Sequence, residues 1–314
     1  MLTTLIGIYT ITKFISADWA QNGHLAWNSA ALLQASAVPV QNQQNLAPVI
    51  KAKAAIATDL ENGFILYEKN IHDRRPVASL TKLMTAIIIL EENNLNDTVT
   101  VSVSQKGAQI GGSKIWLAPG EKITVENLLY ATLIHSANDA AYALAIYNSE
   151  NNPGQTQCGS IDCSEGHSDT PIKNFVKKMN EKAMLLGLQN TNFTNPVGLD
   201  EEGNYSSAYD LSILGRYAYK KDFIRKAAII REMEITSKNG RLKHKISTTN
   251  DLLGSYLKVL GLKTGTTAEA GECLVAVIKN DDGNNILTVL LDSGSRYQET
   301  KVLVDWLFRT YNWK

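Results

Sequence analysis

The sequence predicts an α+β fold in which an antiparallel β-sheet, built from both chain ends, carries flanking helices and an inserted, mostly helical lobe. Strand-like segments occur near residues 53–68 and again within residues 231–292, whereas residues 79–221 are mostly helical in pattern. Short turn signals such as Asn239-Gly240 separate neighbouring strands, and turns of this kind join antiparallel strands. With 314 residues, 44% of them hydrophobic, the chain is long enough for a catalytic-sized core.

The first predicted elements are two strands and a helix. Residues 53–59 and 64–68 are apolar runs joined by Glu-Asn-Gly, which predicts a hairpin. Residues 79–92 then change to a helical period. The side chains expected to face the core from this helix are Leu83, Met84, Ile87, Ile88 and Leu90.

Three further helical regions fill the middle of the chain. Val125 to about Asn148 is apolar and is expected to break near Ser136. Residues 171–187 form an amphipathic helix that begins near a proline and ends at a glycine. Residues 208–221 are predicted to form another helix.

The last part of the chain returns to strands. Residues 231–236 and 241–247 flank the Asn-Gly turn and predict a hairpin. Three more predicted strands and a final helix follow, at 257–264, 272–279, 285–292 and 297–311.

The N-terminal segment, residues 1–46, is predicted to be an export signal or short anchor followed by a linker, and residues 47–314 a catalytic domain. Residues 2–12 are apolar and uncharged, although Lys13 follows the apolar run where a signal would normally begin with basic residues. Residues 21–50 are rich in Ala, Gln and Asn, so we expect ordered structure to begin near Lys51. A disordered or wrongly assigned start is the alternative.

Composition argues against several classes of partner. The 31 basic and 31 acidic side chains cancel, so nothing favours nucleic acid as a partner. The five histidines show no metal-ligand spacing, and we expect no metal and no cofactor.

The three cysteines fall into two groups. Cys158 and Cys163 lie close enough in sequence for a local disulfide or, with His167, for half a metal site. Cys273 lies in an apolar run and is expected to be a buried thiol in a strand.

Ser79-Leu80-Thr81-Lys82 is the first string with catalytic potential. A serine hydroxyl needs an adjacent base, and positions i and i+3 lie on one face of a helix. At the predicted helix start, free backbone N–H groups also favour a developing oxyanion. Lys82 can act as a base only if its pKa falls, which partial burial and a second cation such as Lys263 would both cause.

Two more strings complete the pattern. Ser136 and Asn138 alternate in Ser-Ala-Asn, and a short turn would point both side chains into one cleft for proton relay and amide binding. Lys263-Thr264-Gly265-Thr266 ends a predicted strand, where the glycine leaves the edge open to a closely approaching substrate. The lysine ammonium and the threonine hydroxyls suit a substrate carboxylate.

A single string of this type is weak evidence for a catalytic site, because two of the three strings occur a second time in the chain. Ser255-Tyr256-Leu257-Lys258 repeats Ser-x-x-Lys, but it opens a predicted strand, in which positions i and i+3 face opposite ways. Ser237-Lys238-Asn239 repeats Ser-x-Asn, but it leads into a hairpin turn. What distinguishes the first set is the order: Ser-x-x-Lys at a helix start, Ser-x-Asn between helices, and Lys-Thr-Gly on a late strand.

This ordered triplet resembles the low-molecular-mass penicillin-binding proteins, the serine D-alanyl-D-alanine carboxypeptidases that share a β-lactamase-like fold. The resemblance covers about residues 50–314. The supporting strings are Ala78 to Thr85, Ser136 to Ala141, Phe193 to Leu199 and Gly261 to Thr267. It implies a sheet flanked by helices, with the site between the sheet and a helical lobe.

The resemblance also implies roles. Ser79 would attack the penultimate D-alanine carbonyl, Lys82 would take its proton, and Ser136 would pass a proton to the leaving amine. Asn138 would hold the acyl amide, while Lys263 and Thr264 would bind the terminal carboxylate. The backbone N–H groups of Ser79 and Thr266 would form the oxyanion hole. Peptidoglycan stem peptides are then the expected substrates and β-lactams the expected acylating inhibitors. The protein is expected to be exported to the periplasm or to the outer face of the cytoplasmic membrane.

Other functions stay open at this stage. The same strings permit a D,D-endopeptidase. A class A β-lactamase needs a glutamate after Ser-x-Asn, and the only matching string, Glu92 to Asn96, comes before it. A non-catalytic peptidoglycan-binding protein would be expected to lack Ser79 or Lys82. His135 beside Ser136 suggests a Ser-His pair, but no carboxylate partner is evident and a packing or cleft-wall role is preferred.

Overall fold

The computed structural model describes residues 38–41, 45–102, 111–152 and 170–313. Its centre is a five-stranded antiparallel sheet of order β3-β2-β10-β9-β8. These strands are β2 Ala54–Asp59, β3 Ile65–Lys69, β8 Lys258–Thr267, β9 Gly271–Lys279 and β10 Asn285–Ser293. Because β2 pairs with β10, the two ends of the chain meet inside one sheet, as the sequence predicts.

Three two-stranded pairs surround this sheet. They are β1 Pro39–Gln41 with β11 Tyr311–Trp313, β4 Thr98–Thr100 with β5 Lys122–Thr124, and β6 Glu232–Thr236 with β7 Lys243–Ser247. The last pair is the predicted Asn-Gly hairpin. β1 lies inside the segment predicted as a linker, so the expectation of order only from Lys51 is wrong. Three residues are too few to show strand alternation in the sequence, and a distant strand, β11, holds them in place.

Seven helices occur in the described part of the chain. They are α1 Lys82–Glu92, α2 Val125–Ile134, α3 Asn138–Asn151, α4 Thr170–Leu185, α5 Ala208–Tyr219, α6 Asp222–Ala228 and α7 Arg296–Thr310. The predicted break near Ser136 is confirmed, since it lies between α2 and α3. The single helix predicted at 208–221 ends earlier, and α6 begins as a separate short helix.

The sheet separates two apolar layers. Along β9, Val275 and Val277 belong to the core that contains the lobe helices, whereas Leu274 and Ala276 belong to the core beneath α7. Successive strand side chains point to opposite faces, so a strand buried on both faces needs an almost continuous apolar run. This explains why β9 and β10 lack the polar alternation of a surface strand.

Several predictions about the termini and cysteines fall outside the described residues. Cys158, Cys163 and His167 lie there, as does the apolar N-terminal run. Cys273 is a buried free thiol in β9, as predicted. No helix among the described residues is long and apolar enough to span a membrane. The boundary between an N-terminal segment, residues 1–46, and a catalytic domain, residues 47–314, stays a prediction.

Candidate active site

Ser79 and Lys82 lie at the junction of a 3-10 turn, Ala78–Thr81, with α1. The Lys82 side chain is fully buried, and its Nζ lies 2.7 Å from Ser79 Oγ. It also donates to the Val197 carbonyl at 2.8 Å. The helical contact that the sequence predicts between positions i and i+3 is therefore present.

The environment of Lys82 makes it a candidate base. Burial lowers its pKa well below the ordinary 10.5, and the positive charge of Lys263 lowers it further, against an opposing effect of Asp139. Both causes act by disfavouring the ammonium form. A neutral amine that faces a serine hydroxyl can accept its proton.

The turn between α2 and α3 carries Ser136 and Asn138. Ser136 has a φ of 60°, in the left-handed region, and its Oγ accepts a hydrogen bond from Lys263 Nζ at 2.9 Å. The backbone N–H of Asn138 donates to the Ser113 carbonyl, and its Nδ2 to the Gly111 carbonyl. Its Oδ1 is buried without a hydrogen-bond partner among the described residues. An unpaired buried acceptor is unusual and suits the N–H of a ligand.

Lys263 lies on β8, which is an edge strand of the five-stranded sheet. Its side chain is almost fully buried, and burial, together with the nearby Arg296, lowers its pKa to about 7. Its Nζ bridges Ser136 Oγ and the Thr264 carbonyl, each at 2.9 Å. Lys263 therefore links β8 to the Ser136 turn.

Gly265 sets the approach of β8 to the nucleophile. A Cβ at this position would lie 2.9 Å from the backbone nitrogen of Ser79 and 3.0 Å from the Val77 carbonyl oxygen. Only glycine lets the strand and the turn come this close without displacement. The backbone of β8 therefore runs directly beside Ser79.

Arg296, the first residue of α7, is a cleft residue that the sequence analysis missed. Its guanidinium donates to the Gly265 carbonyl at 2.8 Å and to Thr266 Oγ1 at 2.6 Å. No short string marks it, because Arg296 lies 30 residues after Thr266 in the sequence and the two meet only when β8, β9 and β10 pair in the sheet. It adds a second cation to the end of the cleft where β8 terminates.

Val197, Gly198 and Leu199 form the opposite wall. Asn195 Oδ1 accepts hydrogen bonds from all three backbone N–H groups. This fixes the Val197 carbonyl that holds Lys82. This string supports the family resemblance, but its contact with Lys82 depends on tertiary structure and does not follow from the sequence.

These parts enclose a cleft of about 250 Å³. Six of the eight predicted site residues line it: Ser79, Ser136, Asn138, Thr264, Gly265 and Thr266. The other two, Lys82 and Lys263, lie beneath its floor and contact the two serines. None of the described residues that line the cleft is a carboxylate, and no cluster of His, Cys, Asp and Glu among the described residues could hold a metal ion.

The competing strings lie elsewhere. Glu92 pairs with Lys178 at 2.6 Å at the end of α1 and does not line the cleft. His135 contacts the Ser247 carbonyl through Nδ1, which agrees with the preferred packing role. Ser237 bonds Asn239 within its hairpin turn, as expected.

Comparison with known proteins agrees with this geometry. The family described as D-alanyl-D-alanine carboxypeptidase matches residues 41–155 and 168–294. The carboxypeptidase DacF of Bacillus subtilis is 37% identical over 83% of this chain, and DacC of Escherichia coli 34% identical over 84%. The chain spans 63% of the length of each of these two relatives.

Solved structures show the same fold. The DD-transpeptidase of Streptomyces K15 is 30% identical, with a TM-score of 0.73 over 84% of this chain and all of that one. A D-alanyl-D-alanine carboxypeptidase from Mycobacterium tuberculosis is 27% identical, with a TM-score of 0.71 over 86% of this chain and 96% of that one. From its sequence match, its fold and the arrangement of its cleft, the chain belongs to the D-alanyl-D-alanine carboxypeptidase family of serine peptidases.

Proposed function

We propose that this protein is a serine D-alanyl-D-alanine carboxypeptidase that removes the terminal D-alanine of peptidoglycan stem peptides through an acyl-enzyme on Ser79. The observation that carries the proposal is the buried Lys82 amine at 2.7 Å from Ser79 Oγ. Its lowered pKa favours the neutral amine, which supplies the base that the hydroxyl lacks.

In the acylation step, Ser79 Oγ bonds to the carbonyl carbon of the penultimate D-alanine while its proton moves to Lys82 Nζ. The negative charge that develops on the carbonyl oxygen faces the backbone N–H groups of Ser79 and Thr266. Collapse of this tetrahedral species breaks the C–N bond, and the proton held by Lys82 passes through Ser136 Oγ to the departing amine, which leaves the Lys82 amine neutral again. D-Alanine leaves, and the remaining peptide stays on Ser79 as an ester.

Substrate binding uses the other cleft residues. The open edge of β8 can pair with an extended peptide backbone, and Gly265 lets that backbone approach Ser79. Asn138 Oδ1 accepts from the acyl amide N–H. Lys263, Thr264 and Arg296 provide the positive charge and hydroxyl for the terminal carboxylate.

The acceptor in the second step decides between related activities. Water would release the shortened peptide, whereas a second peptide amine would form a cross-link. The Streptomyces K15 structure is named a DD-transpeptidase, while a relative from the same strain, 32% identical, is named a D-alanyl-D-alanine carboxypeptidase. Because no described carboxylate lines the cleft to activate water, deacylation of a penicilloyl ester is expected to be slow, unlike in a β-lactamase.

The proposed substrate also sets the proposed location. Stem peptides and β-lactams meet the enzyme outside the cytoplasm, so we place it in the periplasm or on the outer face of the cytoplasmic membrane. The apolar run at residues 2–12 would provide the export signal or a short membrane anchor, and a linker would lead from it to the folded chain.

The test combines a fluorescent penicillin with a diacyl-L-Lys-D-Ala-D-Ala tripeptide, using the wild-type protein and Ser79→Ala. A long-lived adduct of one penicillin per chain and release of D-alanine, both absent from Ser79→Ala, are the expected results. Rapid penicillin hydrolysis without an adduct would instead indicate a β-lactamase. Folded protein that reacts with neither compound would indicate a non-catalytic binding protein.

A further inference from the structure

A buried His–Glu pair lies next to the cleft, and the mechanism above does not use it. His244 on β7 contacts Glu121, which precedes β5, through Nε2 and Oε1 at 2.8 Å. The Glu121 side chain is fully buried and that of His244 is 9% exposed. Burying two ionisable groups is costly, so a pair of this kind needs a compensating arrangement of hydrogen bonds.

The pair connects the β6–β7 hairpin to one segment of the chain by hydrogen bonds. His244 Nδ1 lies 2.9 Å from the Ile115 carbonyl oxygen, and the second Glu121 oxygen accepts from the Ala118 N–H at 3.0 Å. The ring and the carboxylate thus contact the segment at 115, 118 and 121. We call the residues 111–121 the cleft segment.

The other side of the cleft segment holds the residue proposed to bind the acyl amide. The Ser113 carbonyl accepts from the Asn138 backbone N–H at 2.7 Å, and the Gly111 carbonyl accepts from Asn138 Nδ2. Both carboxylate oxygens of Asp139 accept from the Ile115 N–H, and one of them also accepts from Leu117. The same short segment therefore contacts His244 on one side and the start of α3 on the other.

From this geometry we propose that His244 and Glu121 are positioning residues: they anchor the cleft segment to the β6–β7 hairpin and so fix Asn138 for the acyl amide. The proposal rests on the function proposed above. Neither residue lines the cleft. Their effect reaches the reaction through Ile115, Ser113 and Asn138.

The hydrogen-bond count of this pair predicts which substitutions it tolerates. Both groups that the ring nitrogens contact, a carbonyl and a carboxylate, are acceptors, so a neutral ring with its single N–H can donate to only one of them and the other contact needs a second donor. Glutamine at 121 would supply that second donor from its amide, while its carbonyl would still accept from Ala118. Leucine at 121 would leave a ring nitrogen and the Ala118 N–H without partners, which is costly in a buried site.

The test compares His244→Phe, Glu121→Leu and Glu121→Gln in the full chain. Lys243→Met is the matched control, because it breaks an exposed ion pair with Glu234 on the same hairpin without touching the cleft segment. The first readout is amide hydrogen exchange of residues 111–121 in the absence of any substrate. The second is acylation by penicillin and the KM and kcat of D-alanine release, normalised to the concentration of acylatable sites.

We expect faster exchange across the cleft segment in His244→Phe and Glu121→Leu. In these two variants kcat/KM should fall about tenfold or more, since a displaced positioning group can cost up to about 10²-fold. Glu121→Gln should stay within about twofold of the wild type, because its hydrogen-bond count is kept. Lys243→Met should match the wild type in both readouts.

Unchanged exchange and unchanged kcat/KM in His244→Phe would overturn the proposal. So would a Glu121→Gln variant as impaired as Glu121→Leu, since charge rather than hydrogen bonding would then be required. If the wild type itself is neither acylated nor active, the proposed function fails, while the exchange experiment still decides whether the pair anchors the cleft segment.

Discussion

The same string, Ser-x-x-Lys, occurs in two regions of this molecule with opposite physical properties. At Ser79 the string enters a helix, and the lysine is fully buried with its amine 2.7 Å from the hydroxyl. At Ser255 the string leads into β8, and Lys258 points into solvent, where it pairs with Asp281 at 2.7 Å. The Lys258 side chain is 60% exposed, so solvent stabilises its charge.

The difference between the two regions shows what converts a common string into a candidate catalytic pair. Helical geometry brings the two side chains together, and burial beneath the cleft removes the solvent that would keep the amine charged. Lys263, from a strand more than 180 residues away along the chain, adds a second positive charge. Four pairs of substitutions, one at each string, test this difference between the two regions.

Removal of the serine hydroxyl at each string should give the largest difference in activity between the two variants. Ser79→Ala is expected to lose the penicillin adduct and to lower D-alanine release by about 10⁴-fold or more, as for other nucleophile deletions. Ser255→Ala should keep wild-type rates. Intact-mass measurement after reaction with penicillin, with D-alanine release as the second assay, checks both. Loss of the adduct in Ser255→Ala alone would reverse the assignment.

Arginine at the two lysine positions tests the role of the base. Lys82→Arg keeps a positive charge but cannot accept the serine proton, so acylation should slow by about 10² to 10⁴-fold. Lys258→Arg should acylate as fast as the wild type. Stopped-flow measurement of penicillin acylation gives both rates. Wild-type acylation by Lys82→Arg would show that Lys82 is not the base.

Alanine substitutions at Gly198 and Gly254 test how tightly the chain packs around each string. At Gly198, which has a φ of +82°, a Cβ would lie 1.8 Å from the Ala78 carbonyl oxygen, directly before Ser79. Overpacking and backbone strain should lower the free energy of unfolding by about 1 to 3 kcal/mol and slow acylation. At Gly254, beside Ser255, a Cβ would meet no atom within 4 Å, so Gly254→Ala should be tolerated. Urea titration and acylation rates check the pair, and equal stability of the two variants would contradict this view.

The last pair concerns pH. The folded state lowers the pKa of Lys263 from 10.5 to about 7, so the unfolded chain binds more protons between these values. This contribution to the free energy of unfolding therefore rises with pH from about 7 to 10.5, by at most about 1.4 kcal/mol per pH unit. Lys263→Met should remove this part of the slope, whereas Lys258→Met should leave it.

The measurement is urea unfolding of the ligand-free proteins at several values of pH. The fully buried Lys82 shifts in the same direction, so some slope should persist in Lys263→Met. Identical slopes in the wild type and Lys263→Met would show that folding does not lower the pKa of Lys263.

Much of the site could be predicted because each string consists of residues that are close together in sequence and adopt a predictable local structure. The contact between Ser79 and Lys82 follows from helical spacing, and the cleft position of Ser136 and Asn138 follows from a break between two apolar helices. The antiparallel sheet follows from strands at both chain ends and from the hairpin turns. The anchoring of Lys82 by Val197 and the cleft position of Arg296 could not be predicted, since both depend on contacts between segments distant in sequence.

Patterns within the sequence indicate the fold class, because apolar periodicity and turn residues act over short distances, and the three motifs in their order indicate the eight candidate residues through the family resemblance. The folded chain shows which Ser-x-x-Lys is buried, which cation lies near its lysine, and that a His–Glu pair contacts the segment holding Asn138. The motifs do not contain this information, because desolvation and charge proximity depend on the whole surroundings of a group. Those surroundings come from strands and helices that meet only when the sheet closes.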